Sequence, residues 1–183
     1  MIIVQLSDFV GYHYILQDPE AGLTATLQNY IDKYEPKFIY KLLGSVLGAT
    51  MIEDCQTEGG VPIQPLNLNL FNPININDPN SNFLWQSEGL KNVLLNLIWY
   101  EFVCDTQVRQ ALAGFVNLAV ETGNKLTYDN VYRVAEAKWN EALEWIYAIQ
   151  WYCLWFDPSD YLNTATQYWF QGQEFGAESS DFL

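Results

Sequence analysis

Apolar residues recur at helical spacing in three parts of the chain, and the residues between them predict where each helix begins and stops. After Leu23, the residues Leu27, Tyr30, Ile31 and Tyr34 keep a period near 3.6, and Phe38, Ile39, Leu42 and Leu43 continue it. Glu35-Pro36 falls between the two sets, so a seam is expected there, with Pro36 at the first position of a new helix where its missing N–H does no harm. Gly44 should cap that helix, because glycine takes positive φ without a steric penalty, and Ser45 to Asp54 should form a short continuation. A second helix is predicted over Ser87 to Cys104, with Ser87 as its cap, Glu88 in its first turn, and Leu90, Val93, Leu94, Leu97, Ile98 and Phe102 as its buried stripe. A third runs from Thr127 to Phe156 on Val131, Val134, Trp139, Ala142, Leu143, Ile146, Ile149, Cys153 and Phe156, and Asp157-Pro158 ends it.

Between these helices the pattern changes. Residues 58–86 hold four of the seven prolines and are rich in Asn. Two runs there alternate with period two, Leu66 to Leu70 and Ile74 to Asn77, on either side of Phe71-Asn72-Pro73. That reads as a small β-hairpin or an extended binding loop inserted at 59–86. Residues 105–126 are read as an extended excursion between the long helices, since Gly114 weakens either regular element. The opening, Met1 to Leu16, reads as a short extended arm with a bend at residues 7–12; such an arm often packs on a neighbour, and packing on its own domain is the commoner outcome. Residues 157–183 form an aromatic, otherwise polar C-terminal interaction tail, with folding back on its own domain as the equal alternative, and residues 1–156 a single mainly α domain, a helical bundle with extended arms.

Charge removes several functions. The 183 residues carry 22 acids and 8 bases, a formal charge of −14, which opposes binding of nucleic acid or an anionic membrane through a basic surface. The longest nearly uncharged apolar run, Ile146 to Phe156, is too short to span a bilayer, and the first residues lack the basic start of a secretory leader. Cys55, Cys104 and Cys153 form no CxxC pair, so synthesis in a reducing cytoplasm is expected. His13 is the only histidine, which excludes a multi-histidine metal site within one chain and makes a packed or exposed residue the expectation for His13 itself. Glu53-Asp54 and Asp157 with Asp160 show no cation-loop spacing and read as solvated acids. No phosphate-binding, zinc-protease or serine-hydrolase motif is present; no catalytic residue, metal ligand or cofactor is assigned, and the chain is read as a non-enzyme.

Trp145, Trp151 and Trp155 lie partly off the apolar stripe of the third helix, making it apolar nearly all round. Such a helix is central in a large core or covered by a partner, and aromatic anchors are what interfaces use.

Several short markers occur in order along the chain: Asp8-Phe9-Val10-Gly11, Tyr30-Ile31-Asp32-Lys33-Tyr34-Glu35, Leu42-Leu43-Gly44, Trp85 with Gly89-Leu90, Ile98-Trp99-Tyr100-Glu101-Phe102-Val103, and Lys138-Trp139-Asn140. This set resembles the head–tail connector (adaptor) proteins of tailed bacteriophages, especially crAss-like and other phages of Bacteroides-type hosts. The resemblance implies a helical bundle of connector-adaptor type that assembles, typically as a 12-mer, into a ring in the virion neck. The ring would sit beneath the portal protein, dock tail or other neck proteins, and extend a channel through which DNA passes without specific binding. It also maps the excursion between the long helices onto Thr106 to Thr127, where Phe115, Val116 and Leu118 would contact another subunit or the portal together with Trp145, Trp151 and Trp155. Leu68, Leu70, Ile74 and Ile76 would serve a second partner. The Asn/Pro-rich stretch at 59–82 and the long tail depart from the family pattern. The alternative reading is an acidic DNA mimic that inhibits a nucleic-acid enzyme, which would need carboxylates spaced like phosphates on one face and would work as a monomer or dimer.

Overall fold

A computed structural model describes residues 3–10, 13, 23–57, 59–77, 84–112 and 128–156, with side chains at 3–10, 13, 26–57, 59–77, 84–105 and 133–154. The described chain is mainly helical, with one two-stranded antiparallel hairpin. Its elements are α1 (Leu23–Thr57), α2 (Pro65–Phe71), β1 (Ile74–Asn77), β2 (Leu84–Ser87), α3 (Leu90–Leu112) and α4 (Tyr128–Phe156). α3 is central: α1 packs along it on one flank and α4 on another, while α1 and α4 touch each other only sparsely.

The predicted stripes build the core. Leu27, Ile31, Ile39, Leu42 and Leu43 of α1 are sealed from solvent, as are Leu90, Val93, Leu94, Leu97 and Ile98 of α3. α1 does not break at Pro36. Proline removes one helical hydrogen bond, yet burial of Phe38, Ile39, Leu42 and Leu43 on the next turns holds the helix through it. The interruption falls at Gly44, whose φ of 78° and ψ of −177° belong to a region that only glycine occupies easily. Gly44 is therefore an extended kink, different from the left-handed cap expected from the sequence.

α1 closes with the Gly60 N–H donating to the Cys55 carbonyl at 2.7 Å, a Schellman-type end. The following segment is not one long loop. Pro65 stands at the first position of α2, a helical turn over the very residues whose period-two pattern reads as a strand. The strand reading holds for Ile74–Asn77 alone. Its partner is β2, with Ile74 opposite Ser87 and Ile76 opposite Trp85, so that the buried side chains of both strands share a face. A lone hairpin is marginal in water, and this one is held against α4.

Ser87 does not cap α3. It ends β2, and its Oγ accepts a hydrogen bond from the Gly89 N–H at 3.1 Å. Gly89 occupies the cap position, its carbonyl accepting from Val93 N–H at 3.2 Å. It has a φ of 88°, and a Cβ there would fall on the Phe71 carbonyl oxygen. α3 also runs past Asp105 to Leu112, so the start of the expected extended excursion is helical. Gln, Arg, Ala and Leu at 107–112 are good helix formers and prolong it. The remainder of that excursion, the Thr127 cap and the C-terminal tail lie outside the described residues.

The N-terminal arm folds back on the domain. Ile3, Val4 and Phe9 are buried, and the carboxylate of Glu35, itself inaccessible to solvent, accepts from the Ile3 and Val4 N–H groups at 2.5 and 2.7 Å. Asp8 adds an ion pair with Lys91 of α3 at 2.8 Å.

Candidate functional site

The residues expected to meet a second partner divide. Leu68 is exposed on α2, but Leu70, Ile74 and Ile76 are buried in this chain's own core. The helical turn of α2 sends Leu70 inward beside Asn67, and the β1 pleat sends both isoleucines inward while Asn75 and Asn77 face solvent. They are packing residues, so that part of the expected surface is corrected. The exposed aliphatic side chains of the insertion are instead Val61, Ile63, Leu68 and Leu84, half of the eight large apolar residues exposed among the described residues.

Trp145 and Trp151 are both half-buried. Trp151 lies against Trp85 of the hairpin, ring centres 5.8 Å apart. No residue from Trp145 to Leu154 is exposed, so the hairpin and α3 cover within the chain much of what the sequence assigns to a partner. Val134, expected in the buried stripe, is 43% exposed, because the stripe passes through Ala135 instead. Phe115, Val116 and Leu118 and the side chain of Trp155 lie outside the described residues.

Asp54 is not a solvated acid. It sits 5% exposed where α1 ends and accepts three hydrogen bonds: from Ile63 N–H at 3.2 Å, Gln64 N–H at 3.0 Å and Asn67 Nδ2 at 2.9 Å. Desolvation pushes its pKa up, but the bonds from Asn67, Gln64 and Ile63 outweigh that and hold it below the usual carboxylate range. Asp54 thereby ties α1 to the start of α2, while its neighbour Glu53 is exposed.

His13 is half-buried and set edge-on to Trp99, packed where the sequence allowed either a packed or an exposed residue. Its Nε2 donates to Asn96 Oδ1 at 2.5 Å, an orientation assigned because Asn96 Nδ2 donates onward to Glu141 at 3.2 Å. Lys138 completes the chain with a 2.5 Å ion pair to Glu141. Burial lowers the His13 pKa and Lys138 adds to that, against the opposing hydrogen bond to Asn96 and the charge of Glu141. This relay stitches the arm, α3 and α4 together.

Two of the thiols, Cys55 and Cys104, are poor nucleophiles. Cys55 is buried, and desolvation followed by the charges of Asp54 and Glu35 pushes its pKa up to about 12. Cys104 is also raised, first by desolvation and then, against a hydrogen bond with Tyr100, by Glu101, Glu136 and Asp105. No group of three or more metal-ligating side chains occurs among the described residues. None of the described helices is long and apolar enough to cross a membrane.

Two features escape the apolar pattern. Lys33, Lys37 and Lys41, all exposed, form a row along α1, legible in the sequence as a repeat of four residues. Lys33 and Lys37 stand over the Tyr34 ring at 4.5 and 5.1 Å. Gln150, inaccessible to solvent on α4, has neither amide atom hydrogen-bonded among the described residues, and a lone Gln inside an apolar stripe is its sequence signal.

Against protein-family models, curated proteins and solved structures, the chain matches none.

Proposed function

We propose that the chain is a structural ring subunit of the head–tail connector kind, which joins copies of itself around a DNA channel in the virion neck and docks a neighbouring neck or tail protein. The observation that supports this reading best is the concentration of exposed aliphatic side chains on the insertion. Val61, Ile63, Leu68 and Leu84 belong to a segment fixed by Asp54 on one side and by α4 on the other. A rigid element that shows apolar side chains to water is suited to meeting another protein. The ordered markers support the fold side of the same reading: Phe9, Tyr30, Tyr34, Leu42, Leu43, Leu90, Trp99 and Phe102 are all buried in one hydrophobic core. The net charge of −14 suits a channel through which DNA slides, since carboxylates repel phosphates.

The test is the mass of the purified protein by native mass spectrometry and its shape by electron microscopy. A closed ring of about twelve copies is expected. A monomer or dimer at every concentration up to the millimolar range overturns the reading. Absence of the chain from purified particles, measured by quantitative mass spectrometry against the major capsid protein, overturns it equally.

A further inference from the structure

The N-terminal arm is fastened at both ends. Glu35 of α1 accepts from the Ile3 and Val4 N–H groups, and the His13 ring is set against Asn96 and Trp99 of α3. Between these fastenings the backbone folds through consecutive tight turns. The N–H groups of Asp8, Phe9, Val10 and His13 donate to the Gln5, Leu6, Asp8 and Val10 carbonyls at 2.9, 3.3, 2.9 and 3.2 Å. The Asp8 carboxylate closes the first turn by accepting from Gln5 N–H at 2.7 Å, and it also pairs with Lys91 of α3. A displacement of the ring is thereby passed along the turns to the Asp8–Lys91 pair.

His13 is the only histidine of the chain, and its ring is half-buried. With Nε2–H donated to Asn96, a second proton would go to Nδ1 and place a cation in a partly desolvated seat. α3 meets the ring with the neutral side chains of Asn96 and Trp99, and the arm's own Asp8 is held by Lys91. The charged groups that bear on the ring among the described residues are both on α4. Lys138 repels a cation there, and Glu141, which attracts one, is already engaged by Lys138 and by Asn96 Nδ2. Burial keeps the ring neutral and its pKa below the ordinary 6.5; Lys138 adds to this, while the hydrogen bond to Asn96 and the charge of Glu141 oppose it.

We infer that the arm is an acid-released strap: protonation of His13 expels its ring from the seat on α3 and frees residues 3–10 with it, while α1, α3 and α4 stay folded. The inference stands apart from the ring reading. An arm that buries only Ile3, Val4 and Phe9 gains little beyond the entropy lost in ordering it, so a modest penalty at one fastening opens it. Local opening of this kind needs no loss of the core. Release uncovers Glu35 and Trp99, both buried while the arm is in place.

The experiment follows the lone imidazole and the arm amides of the full chain together. The His13 Cε1 proton, the single histidine signal of the spectrum, should titrate below the ordinary 6.5. Hydrogen exchange at residues 3–10, corrected for the intrinsic rate, should give an opening constant that rises by up to about tenfold per pH unit as pH falls below about 6.5. Amides of α3 and α4 should keep their protection over the same range. His13→Gln keeps a donor for Asn96 and should hold the opening constant flat with pH. Lys138→Gln removes the repulsion, so it should raise the His13 midpoint and shrink the acid response. An arm equally protected at about pH 7.5 and about pH 5.5 overturns the inference, as does a response of the same size in His13→Gln. Opening of α3 and α4 together with the arm overturns it too, because the whole domain would then be the unit that titrates. If His13→Gln leaves the arm open at every pH, Lys138→Gln decides: a smaller acid response upholds the strap, and an unchanged one overturns it.

Discussion

Replacing Glu35 with Ala should release the N-terminal arm. The arm described here has eight residues, 3–10, and ordering them costs about 1–2 kcal/mol each in backbone entropy, about 8–16 kcal/mol together. Burial of Ile3, Val4 and Phe9 returns about 1.5–3 kcal/mol apiece, roughly 5–9 kcal/mol. The two N–H groups that donate to the Glu35 carboxylate add about 1.5–3 kcal/mol each, or about 3–6 kcal/mol. Gains and losses nearly cancel, so the Glu35 bonds decide whether the arm is docked. Glu35→Ala should remove about 3 kcal/mol or more, a large share of the roughly 5–15 kcal/mol that holds a domain together. Glu35→Gln keeps an acceptor without its charge and should lose about half as much.

Urea unfolding would give the stability change, and hydrogen exchange at the Ile3 and Val4 amides would locate it. Both amides should exchange near the unprotected rate in Glu35→Ala while the α3 amides stay protected. A Glu35→Ala protein within about 1 kcal/mol of wild type, its arm amides still protected, would refute the reasoning.

Three further outcomes follow from particular residues. Gly89→Ala should destabilise by about 2 kcal/mol or more, because a side chain at positive φ is strained and its Cβ would displace the Phe71 carbonyl; an unchanged thermal midpoint would contradict the turn geometry. Gln150→Leu should stabilise by about 1–3 kcal/mol, since it removes a buried amide whose atoms have no hydrogen bonds, and denaturant midpoints would show an increase or its absence. The folded pKa of both His13 and Asp54 is depressed, so each contributes stability that is full above its unfolded pKa and is lost as pH falls through its folded one. Urea midpoints should therefore decline in one step below about pH 6.5, absent in His13→Gln, and in another below about pH 4, absent in Asp54→Asn.

Most of the core could be read from spacing alone, because burial on a helix face follows the 3.6 period directly. Leu27, Ile31, Leu94 and Ile98 are where the pattern puts them. Local rules failed where tertiary contacts overrode them. Pro36 reads as a helix start, yet the core residues on the next two turns carry α1 through it. Leu66 to Leu70 reads as a strand, but Pro65 starts a helix, and the buried Asp54–Asn67 bond ties that helix to α1 across 13 residues that no local pattern spans. Leu70, Ile74 and Ile76 are core and no binding surface, because the α2 turn buries Leu70 and the β1 pleat buries both isoleucines against the rest of the domain. The lysine row is legible as a four-residue repeat, Lys33, Lys37 and Lys41, in a chain whose total charge is strongly negative.

Salt should separate an apolar from a charge-matched contact between copies, because two electrostatic effects of opposite sign act at different ranges. The repulsion between chains of −14 acts over the whole surface and is screened once the Debye length falls to about 10 Å, near 0.1 M salt. Ion pairs between the exposed Lys33 or Lys37 of one copy and carboxylates of another would lie within about 4 Å and survive until far higher salt. The hairpin already covers much of the aromatic half of α4, so Trp145 and Trp151 offer only part of their surface to another copy. Assembly should thus strengthen as sodium chloride rises from about 0.01 to 0.1 M and weaken again toward 1 M, as read by sedimentation velocity. A contact made by aliphatic and aromatic groups alone would strengthen throughout, since salt removes the repulsion and leaves the apolar attraction intact. Monotonic strengthening would exclude the lysine row as the dominant contact and return the interface to the exposed side chains of Val61, Ile63, Leu68 and Leu84.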